Sequence, residues 1–445
     1  MTFLHIGIDD TDSPRKGCTT YIAALLVQKL QNHDASFIDY PNLIRLNPNI
    51  PWKTRGNGAI SLRIKHNKKE TDNIKETVIA TVEENSDFTY AGTEPGIVFF
   101  YREKIPKELA QFSKKAIQGI VKMKEAEKLI KKFKAEAIGY KTARGIIGAL
   151  AAIGETLRKD HTYELIAYRK PENRGKPRQI DPTSVYEMNQ KTTPLTFNNI
   201  DPETKRILIT PRGPDPILYG IRGETPEIVK KAHELIRPLE PIERWVIFRT
   251  NHGTDAHLHR ARNISEIQPY HPIIVKGTVA QNPYTIPRRH VIFPIKDKTS
   301  QIYCAAYEPT GTLRKIAAKL QTGDIIEAYG GVRPSSHKHG ITINLEKLQV
   351  IKLAPKITCR NPPCPKCGKT LKSMGKNKGF RCEKCGFRSA KLNKTCFQVE
   401  RELKKGLYIV STRSMRHLTK PFSRYGMEKT KETFGEKIME KWHFP

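Results

Sequence analysis

The apolar positions near the start of the chain fall in short runs broken by charge. Residues Phe3 to Ile8 make a β-type run that stops at Asp9, Asp10, Thr11 and Asp12. Over 19–30 the apolar side chains Tyr21, Leu25, Leu26 and Leu30 then recur at helical spacing. The pattern predicts strand, acidic loop, helix. Further strands are expected at 43–46, 59–64 and 96–101, with a long lysine-rich helical region over 106–133. From Gly145 the pattern predicts a helix over 146–157, strands at 163–168, 207–210 and 245–249, and a helix over 225–236. Alternation of this kind suits a small α+β sandwich, ferredoxin-like in type.

From Pro272 the pattern changes to short strands at 273–279, 290–295, 302–307, 325–329 and 341–350, with one helix, 313–320, after the third. That is the profile of an OB-fold, whose strand 2 and 3 face binds single strands and RNA ends; a small barrel used only as a spacer is the plainer reading. The fold class is therefore multidomain α+β. At roughly 150 residues per domain, a chain of 445 residues is expected to hold about three. The expected units are an N-terminal α/β domain over 1–140, a ferredoxin-like domain over 141–266, an OB-fold β-barrel over 267–354, a C-terminal zinc ribbon over 355–395 and a basic tail over 396–445.

Charge narrows the partner. Lys and Arg number 78 against 45 Asp and Glu, a formal net charge of +33, which is more than solubility needs and points to a polyanion. It does not point to a chemistry. No run approaches the roughly 18 consecutive apolar residues of a membrane span, and the first residues read into a charged motif instead of a signal peptide, so a cytoplasmic protein is expected.

Cys364, Cys367, Cys382 and Cys385 form two C-x-x-C knuckles fourteen residues apart, with Gly368 and Gly386 directly after each pair. Four thiolates at that spacing suit a structural, tetrahedral Zn²⁺ with no open position for catalysis. Eight basic residues, from Lys366 to Arg388, surround them and suit phosphate contact. Cys18, Cys304, Cys359 and Cys396 are left over.

Asp9, Asp10 and Asp12 place three carboxylates in four residues at a strand end. Mutual repulsion makes such a cluster tolerable where Mg²⁺ and nucleotide phosphates neutralise it, although an acidic turn capping the next helix is the bland alternative. Gly17, Cys18, Thr19 and Thr20 put hydroxyls at that helix N-terminus, where phosphate is favoured. Two basic, glycine-containing stretches are candidate phosphate contacts: Lys53, Arg55 and Gly56, and Lys141, Arg144 and Gly145. Neither is a Walker A loop. The segments 214–224 and 250–255 read as polar loops at strand ends, where binding groups collect, and His252 in the second reads more readily as structural than as catalytic.

Taken in order, I-G-I-D-D-T-D at 6–12, C-T-T at 18–20, R-L-N-P-N-I-P-W-K-T-R-G-N-G-A at 45–59, L-Y-G-I-R-G-E at 218–224 and T-N-H at 250–252, with the OB-fold and ribbon, resemble the archaeal tRNA-Ile 2-agmatinylcytidine synthetases over nearly the whole chain. The resemblance implies an ATP-dependent ligase that replaces the C2 oxygen of the wobble cytidine in a CAU-anticodon isoleucine tRNA by agmatine, so that AUA is read instead of AUG. It implies a kinase-like N-terminal domain that phosphorylates the C2 oxygen, with Asp9, Asp10 and Asp12 as metal and catalytic groups and Thr19 as the autophosphorylated threonine. ATP, Mg²⁺ and structural Zn²⁺ are the expected cofactors, and the tRNA and agmatine the partners. Arg15-Lys16 beside the acidic loop, and Ala143 where a second glycine is expected, depart from the pattern. From charge alone, Asp215, Tyr219 and Glu224 suit the agmatine guanidinium, which wants a carboxylate fork and an aromatic face. The alternatives are a non-catalytic tRNA-binding protein, or another ATP-dependent RNA-modifying enzyme.

Overall fold

The first apolar run is the central strand of the N-terminal half. In this computed structural model, which describes residues 1–336, 339–431 and 437–445, β1 (Thr2–Asp9) is followed by α1 (Thr19–Gln31), the two-residue β2 (Ser36–Phe37), β3 (Asn42–Arg45), β4 (Gly58–His66), α2 (Thr71–Asn85) and β5 (Gly96–Phe100). Setting β2 aside, these form a β-α-β-β-α-β unit with strand order β5-β1-β4-β3. Next come α3 (Lys107–Gln118), α4 (Met123–Phe133), β6 (Glu136–Gly139), which extends the sheet beyond β5, and α5 (Gly145–Gly154). The helical region expected over 106–133 consists of two helices. Gly119 and the β-branched Ile120 and Val121 interrupt it, residue types that lower helix propensity.

The same arrangement recurs in β7 (Thr162–Arg169), α6 (Pro182–Thr192), β8 (Thr196–Phe197), β9 (Ile217–Gly223), α7 (Pro226–Leu235) and β10 (Ile242–Thr250), in the order β10-β7-β9-β8. The second unit is thus ferredoxin-like in topology, and the first shares its strand order. Parallel pairing of β3 with β10, Asn42 opposite Arg249 and Leu43 opposite Thr250, joins the two units into one sheet. The strand expected at 207–210 is only an isolated bridge from Ile207 to Ile200. The segment read as a polar loop at 214–224 instead contains β9, whose Leu218, Tyr219 and Ile221 are buried. Gly220 and Gly223 disguise that run, since glycine weakens a strand pattern.

Alternation along β1 sets what each face carries. Leu4, Ile6 and Ile8 join the core under α1 and α2, which continues into the second unit under α6 and α7, while α3, α4 and α5 pack on the opposite face. Gly7 and Asp9 therefore face α5.

The barrel region comprises β11 (His259–Arg260), β12 (Pro272–Val279), β13 (Tyr284–Ile286), β14 (His290–Lys296), β15 (Gln301–Ala306), α8 (Thr312–Ala317), β16 (Ile325–Arg333) and β17 (Thr342–Lys352). Pairing runs β12-β14-β15-β17-β16 and back to β12, a closed five-stranded barrel with α8 between its third and fourth strands. This is the expected OB-fold. Beyond it, β18 (Lys356–Arg360) begins a neck, β19 (Lys372–Ser373), β20 (Phe380–Arg381) and β21 (Arg388–Ser389) form the ribbon, and β22 (Thr395–Val399) returns to pair with β18. Two of the leftover cysteines, Cys359 and Cys396, face each other across the neck as a disulfide.

The described residues among the last fifty are not a free tail. β23 (Gly406–Ile409) pairs with β17 of the barrel, and β24 (His443–Phe444) pairs with β10 of the first sheet. Between them Arg413 binds Asp201 and Glu203, and Arg424 is fully buried. Trp442 packs edge-on against Phe37 and Tyr40. Positive charge suggested a tail, but these arginines are consumed by internal carboxylates. Among the described residues no helix is long and apolar enough to cross a membrane.

Candidate active site

The chain turns sharply at the end of β1. Asp10 adopts a left-handed backbone, φ 57°, tolerated better by Asp than by most residues, and the three carboxylates diverge from there. Asp9 enters the space left by a glycine: a Cβ on Gly148 of α5 would lie 1.7 Å from Asp9 Oδ2. Burial, and then the neighbouring Asp10, push the Asp9 carboxyl well above the usual range. Asp10 accepts from Arg144 at 2.8 and 3.2 Å, yet burial still lifts it to about 6. Asp12 accepts from Thr54 Oγ1 at 2.7 Å and from Arg55 Nε at 2.5 Å.

All three aspartates line one cavity of about 550 Å³, together with Thr19, Lys53, Arg55, Gly56, Arg144 and Asp215. This volume lies in the ordinary range for ligand pockets. Thr19 opens α1 beside the carboxylates, its Oγ1 2.9 Å from that of Thr11. No side chain caps the helix at Cys18, so its first N–H groups remain available to an anion. Arg55 ties the two halves of the sheet together here, donating to Asp12, to the Gly17 carbonyl at 2.5 Å and to Asp215 at 3.4 Å. Arg178 holds the other Asp215 oxygen at 3.3 Å.

Four of the expected site residues lie outside the cavity lining. Lys141 reaches back to the Tyr90 carbonyl at 2.7 Å, and Gly145 is buried where a Cβ would meet the Glu94 carbonyl and the Gly96 amide. Both frame the start of α5 without entering the pocket. Ala143, where a second glycine was expected, is itself left-handed, φ 62°. Tyr219 is buried with its hydroxyl 2.9 Å from His233 Nδ1, and Glu224 is locked to buried Arg424 at 2.6 Å. An aromatic face and a carboxylate close together in sequence do not converge here, because Tyr219 and Glu224 turn their side chains to other partners.

Of the residues gathered at the cavity floor, Arg45, Arg222 and His252 lie in the stretches that carry the resemblance, whereas Glu164 belongs to no motif read as a site. Glu164 on β7 lies 2.9 Å from Arg222 Nε, 3.4 Å from His252 Nδ1 and 3.9 Å from Arg45 Nη2. Burial opposes its charge, but Arg222, His252 and Arg45 together hold it well below the usual carboxylate range. His252 is driven down to about 4 by burial and Arg222, and its ring meets that of His417 edge-on at 4.9 Å. A signal was present: Glu164 is a lone charge inside the apolar run 163–168, and a buried charge of that kind needs partners.

The four ribbon cysteines converge as expected, all ligand atoms lying within 4.8 Å of one another. Among the described residues they are the one group of three or more His, Cys, Asp or Glu arranged to share an ion. Asp9, Asp10 and Asp12 therefore form no ready-made three-carboxylate cage, since Arg144 and Arg55 draw two of them aside.

Comparison with known proteins follows these divisions. The TiaS TCKD domain matches residues 5–142, the TiaS FLD domain 143–257, an OB-fold nucleic acid binding domain 273–351 and the TiaS C-terminal zinc ribbon domain 361–403. The tRNA-Ile 2-agmatinylcytidine synthetase TiaS of Methanocaldococcus jannaschii is 47% identical over 95% of this chain and 98% of its own, and that of Pyrococcus horikoshii is 46% identical over 94% and 96%. The chain belongs to the TiaS family of tRNA-Ile 2-agmatinylcytidine synthetases. Among solved structures it resembles a complex of TiaS with its isoleucine tRNA and ATP, with 38% identity and TM-score 0.87, and a complex of TiaS with the same tRNA, AMPCPP and agmatine, with 37% identity and TM-score 0.84. Each alignment covers 98% of this chain and 100% of the other. The ribbon thiolates coincide with a family zinc ribbon, so the donor set and the family agree on structural zinc.

Proposed function

We propose that this protein is an ATP-dependent ligase that joins agmatine to C2 of the wobble cytidine in the CAU-anticodon isoleucine tRNA. The observation that carries the reading is a single cavity in which Asp9, Asp10, Asp12 and Thr19 of the first unit meet Arg45, Glu164, Asp215 and Arg222. One pocket can thus bring a nucleotide phosphate, a base and an amine together. A protein serving only to bind tRNA has no need of buried carboxylates, which repel RNA phosphate.

In this reading the first unit acts as the kinase-like half. A phosphoryl group from ATP is placed on the cytidine C2 oxygen, and the agmatine amine nitrogen then bonds to C2. The C2–O bond breaks, the oxygen leaves with the phosphate, and the amine proton is released. Lys53, Arg55, Gly56 and Arg144 line the phosphate path, with Lys141 and Gly145 setting the frame of α5 behind it. Mg²⁺ needs only one or two carboxylates besides phosphate oxygens, and Asp9, with Asp10, fits that donor set. When bound, the ion neutralises phosphate charge. Thr19 presents a hydroxyl at the start of α1, where a phosphate would be stabilised.

Asp215 supplies the carboxylate of the agmatine wall. Its two oxygens offer about four lone-pair sites, so a guanidinium can share it with Arg55 and Arg178. Tyr219 and Glu224 belong to the scaffold behind that wall. The units 1–140 and 141–266 line the cavity together with residues 412–417 of the C-terminal segment, while 267–354 and 355–395 extend the basic surface along the RNA. A tRNA substrate places the work in the cytoplasm.

The test is incorporation of labelled agmatine into a CAU isoleucine tRNA transcript, with ATP and agmatine omitted in turn. Asp9→Ala, Asp12→Ala and Thr19→Ala should lose roughly 10²-fold or more in rate while keeping tRNA affinity in a filter assay. No incorporation by the wild-type protein, or full incorporation by the aspartate variants, would overturn the reading.

A further inference from the structure

The loop between β3 and β4 carries a tryptophan that the fold does not use. Trp52 is 46% exposed, whereas the other two tryptophans of the chain, Trp245 and Trp442, are buried at 9% and 6%. Among the described residues no aromatic ring or cation lies against its indole. Yet the loop is firmly held on both sides. Asn47 donates to the Gly119 and Tyr270 carbonyls at 2.8 and 3.0 Å, and Asn57 donates to the Asn47 carbonyl at 2.7 Å. Beyond the tryptophan, Thr54 and Arg55 grip Asp12.

A large apolar ring is thus presented to solvent from a fixed position at the catalytic cavity. It is the one Trp, Tyr or Phe in the cavity lining among the described residues. Arg206 and exposed Arg212 line the same cavity and have no carboxylate partner among the described residues. A flat apolar face and uncompensated cations in one cavity match a nucleotide: the base stacks on the ring and the cations meet the backbone phosphates. Chemistry at a base atom requires the base to leave its own stack, and an enzyme must replace the lost stacking.

We propose that Trp52 is the stacking platform that holds the target cytidine, turned out of its loop, over the carboxylates. This rests on the tRNA-cytidine reading above. Trp52 is a positioning residue: it touches the base through its π face and takes no part in bond making. Because Trp52 stands two residues before Thr54, which binds Asp12, base placement and the carboxylate geometry share one short loop.

The other two tryptophans are buried and out of reach of a bound base, so the part of the indole fluorescence change that is lost in Trp52→Phe reports on this ring. Adding the CAU isoleucine tRNA transcript should quench it, and an otherwise identical transcript abasic at the wobble position should bind without the quench. Trp52→Phe should remove the response to the intact transcript. In turnover, Trp52→Ala should lower agmatine incorporation roughly 10- to 100-fold, the range that a single base–aromatic stack supports. Its tRNA affinity should change little, since phosphate contacts dominate that quantity. Trp52→Tyr should recover most of the rate. Wild-type turnover by Trp52→Ala, or equal quenching by the abasic transcript, would overturn the proposal. Absence of agmatine incorporation in the wild-type protein would instead remove the functional reading, leaving the wobble-dependent quench to be judged on its own.

Discussion

The carboxylate of Asp9 rests against the bare backbone of Gly148, where a Cβ would come within 1.7 Å of Oδ2. Alanine in a helix interior ordinarily stabilises by about 0.5–1 kcal/mol relative to glycine, so Gly148→Ala should favour α5 as an isolated helix. In the folded protein the methyl group must displace Asp9 from the end of β1. Agmatine incorporation should then fall roughly 10²-fold while tRNA binding persists. Normal turnover by Gly148→Ala would show that the position of Asp9 is not critical.

Asp10 should make stability depend on pH in an unusual direction. A carboxyl near 6 in the folded protein, against about 3.9 when unfolded, favours folding only while protonated. Its contribution is complete below about pH 4 and is lost as pH rises through about 6. Asp10→Asn, compared with the wild type in the absence of divalent cations, should therefore be the more stable protein at pH 7. The advantage should be up to about 3 kcal/mol and vanish near pH 4. Thermal unfolding at the two pH values checks this, and a constant difference between them would refute it.

Zinc should be present at one ion per chain. Replacing Cys364, Cys367, Cys382 or Cys385 by Ser should release it and unfold the ribbon, because metal binding supplies the folding energy of such small units. Affinity for tRNA should drop, with a shallower salt dependence as ribbon phosphate contacts disappear, while ATP binding at the distant first unit is retained. Metal analysis and filter binding at two salt concentrations decide the matter. Full tRNA affinity without zinc would remove the ribbon from the binding surface.

The parts of this protein that were legible in its sequence are those governed by local pattern. The knuckle spacing of Cys364 to Cys385 and the five short runs of the barrel depend on neighbours close in the chain, and both are found as read. The strand-loop-helix of Asp9 to Thr19 is found as read for the same reason. Long-range pairing was not legible. Nothing near Leu43 announces that it lies opposite Thr250, 207 residues later, joining two units into one sheet. Glu164 required a buried charge to be matched with Arg45, Arg222 and His252 from three separate segments. The basic residues after 396 looked like solvated charge because their carboxylate partners, Asp201 and Glu224 among them, lie some two hundred residues away.

Glu224 gives the sharpest contrast between a reading from charge and one from position. Arg424 donates to Glu224 at 2.6 Å, to Asp160 at 2.8 Å and to the Gly253 carbonyl at 2.7 Å, so the C-terminal segment is fastened to the second unit by one buried guanidinium. Removing one partner of a buried pair leaves an uncompensated charge, at a cost of roughly 3–5 kcal/mol. Arg424→Ala should therefore unfold at much lower temperature than the wild type. Glu224→Gln should lose less, because its amide oxygen can still accept from Arg424. Neither change should raise the KM for agmatine at temperatures where the variant is folded. Asp215→Asn is the opposite case: it weakens a cavity carboxylate, so the KM for agmatine should rise about 10-fold or more, as the loss of a charged hydrogen-bond partner implies, with a smaller effect on unfolding. If Glu224→Gln raised the KM and left thermal stability intact, Glu224 would be a ligand residue after all and the buried tie to Arg424 would have to open in the working enzyme.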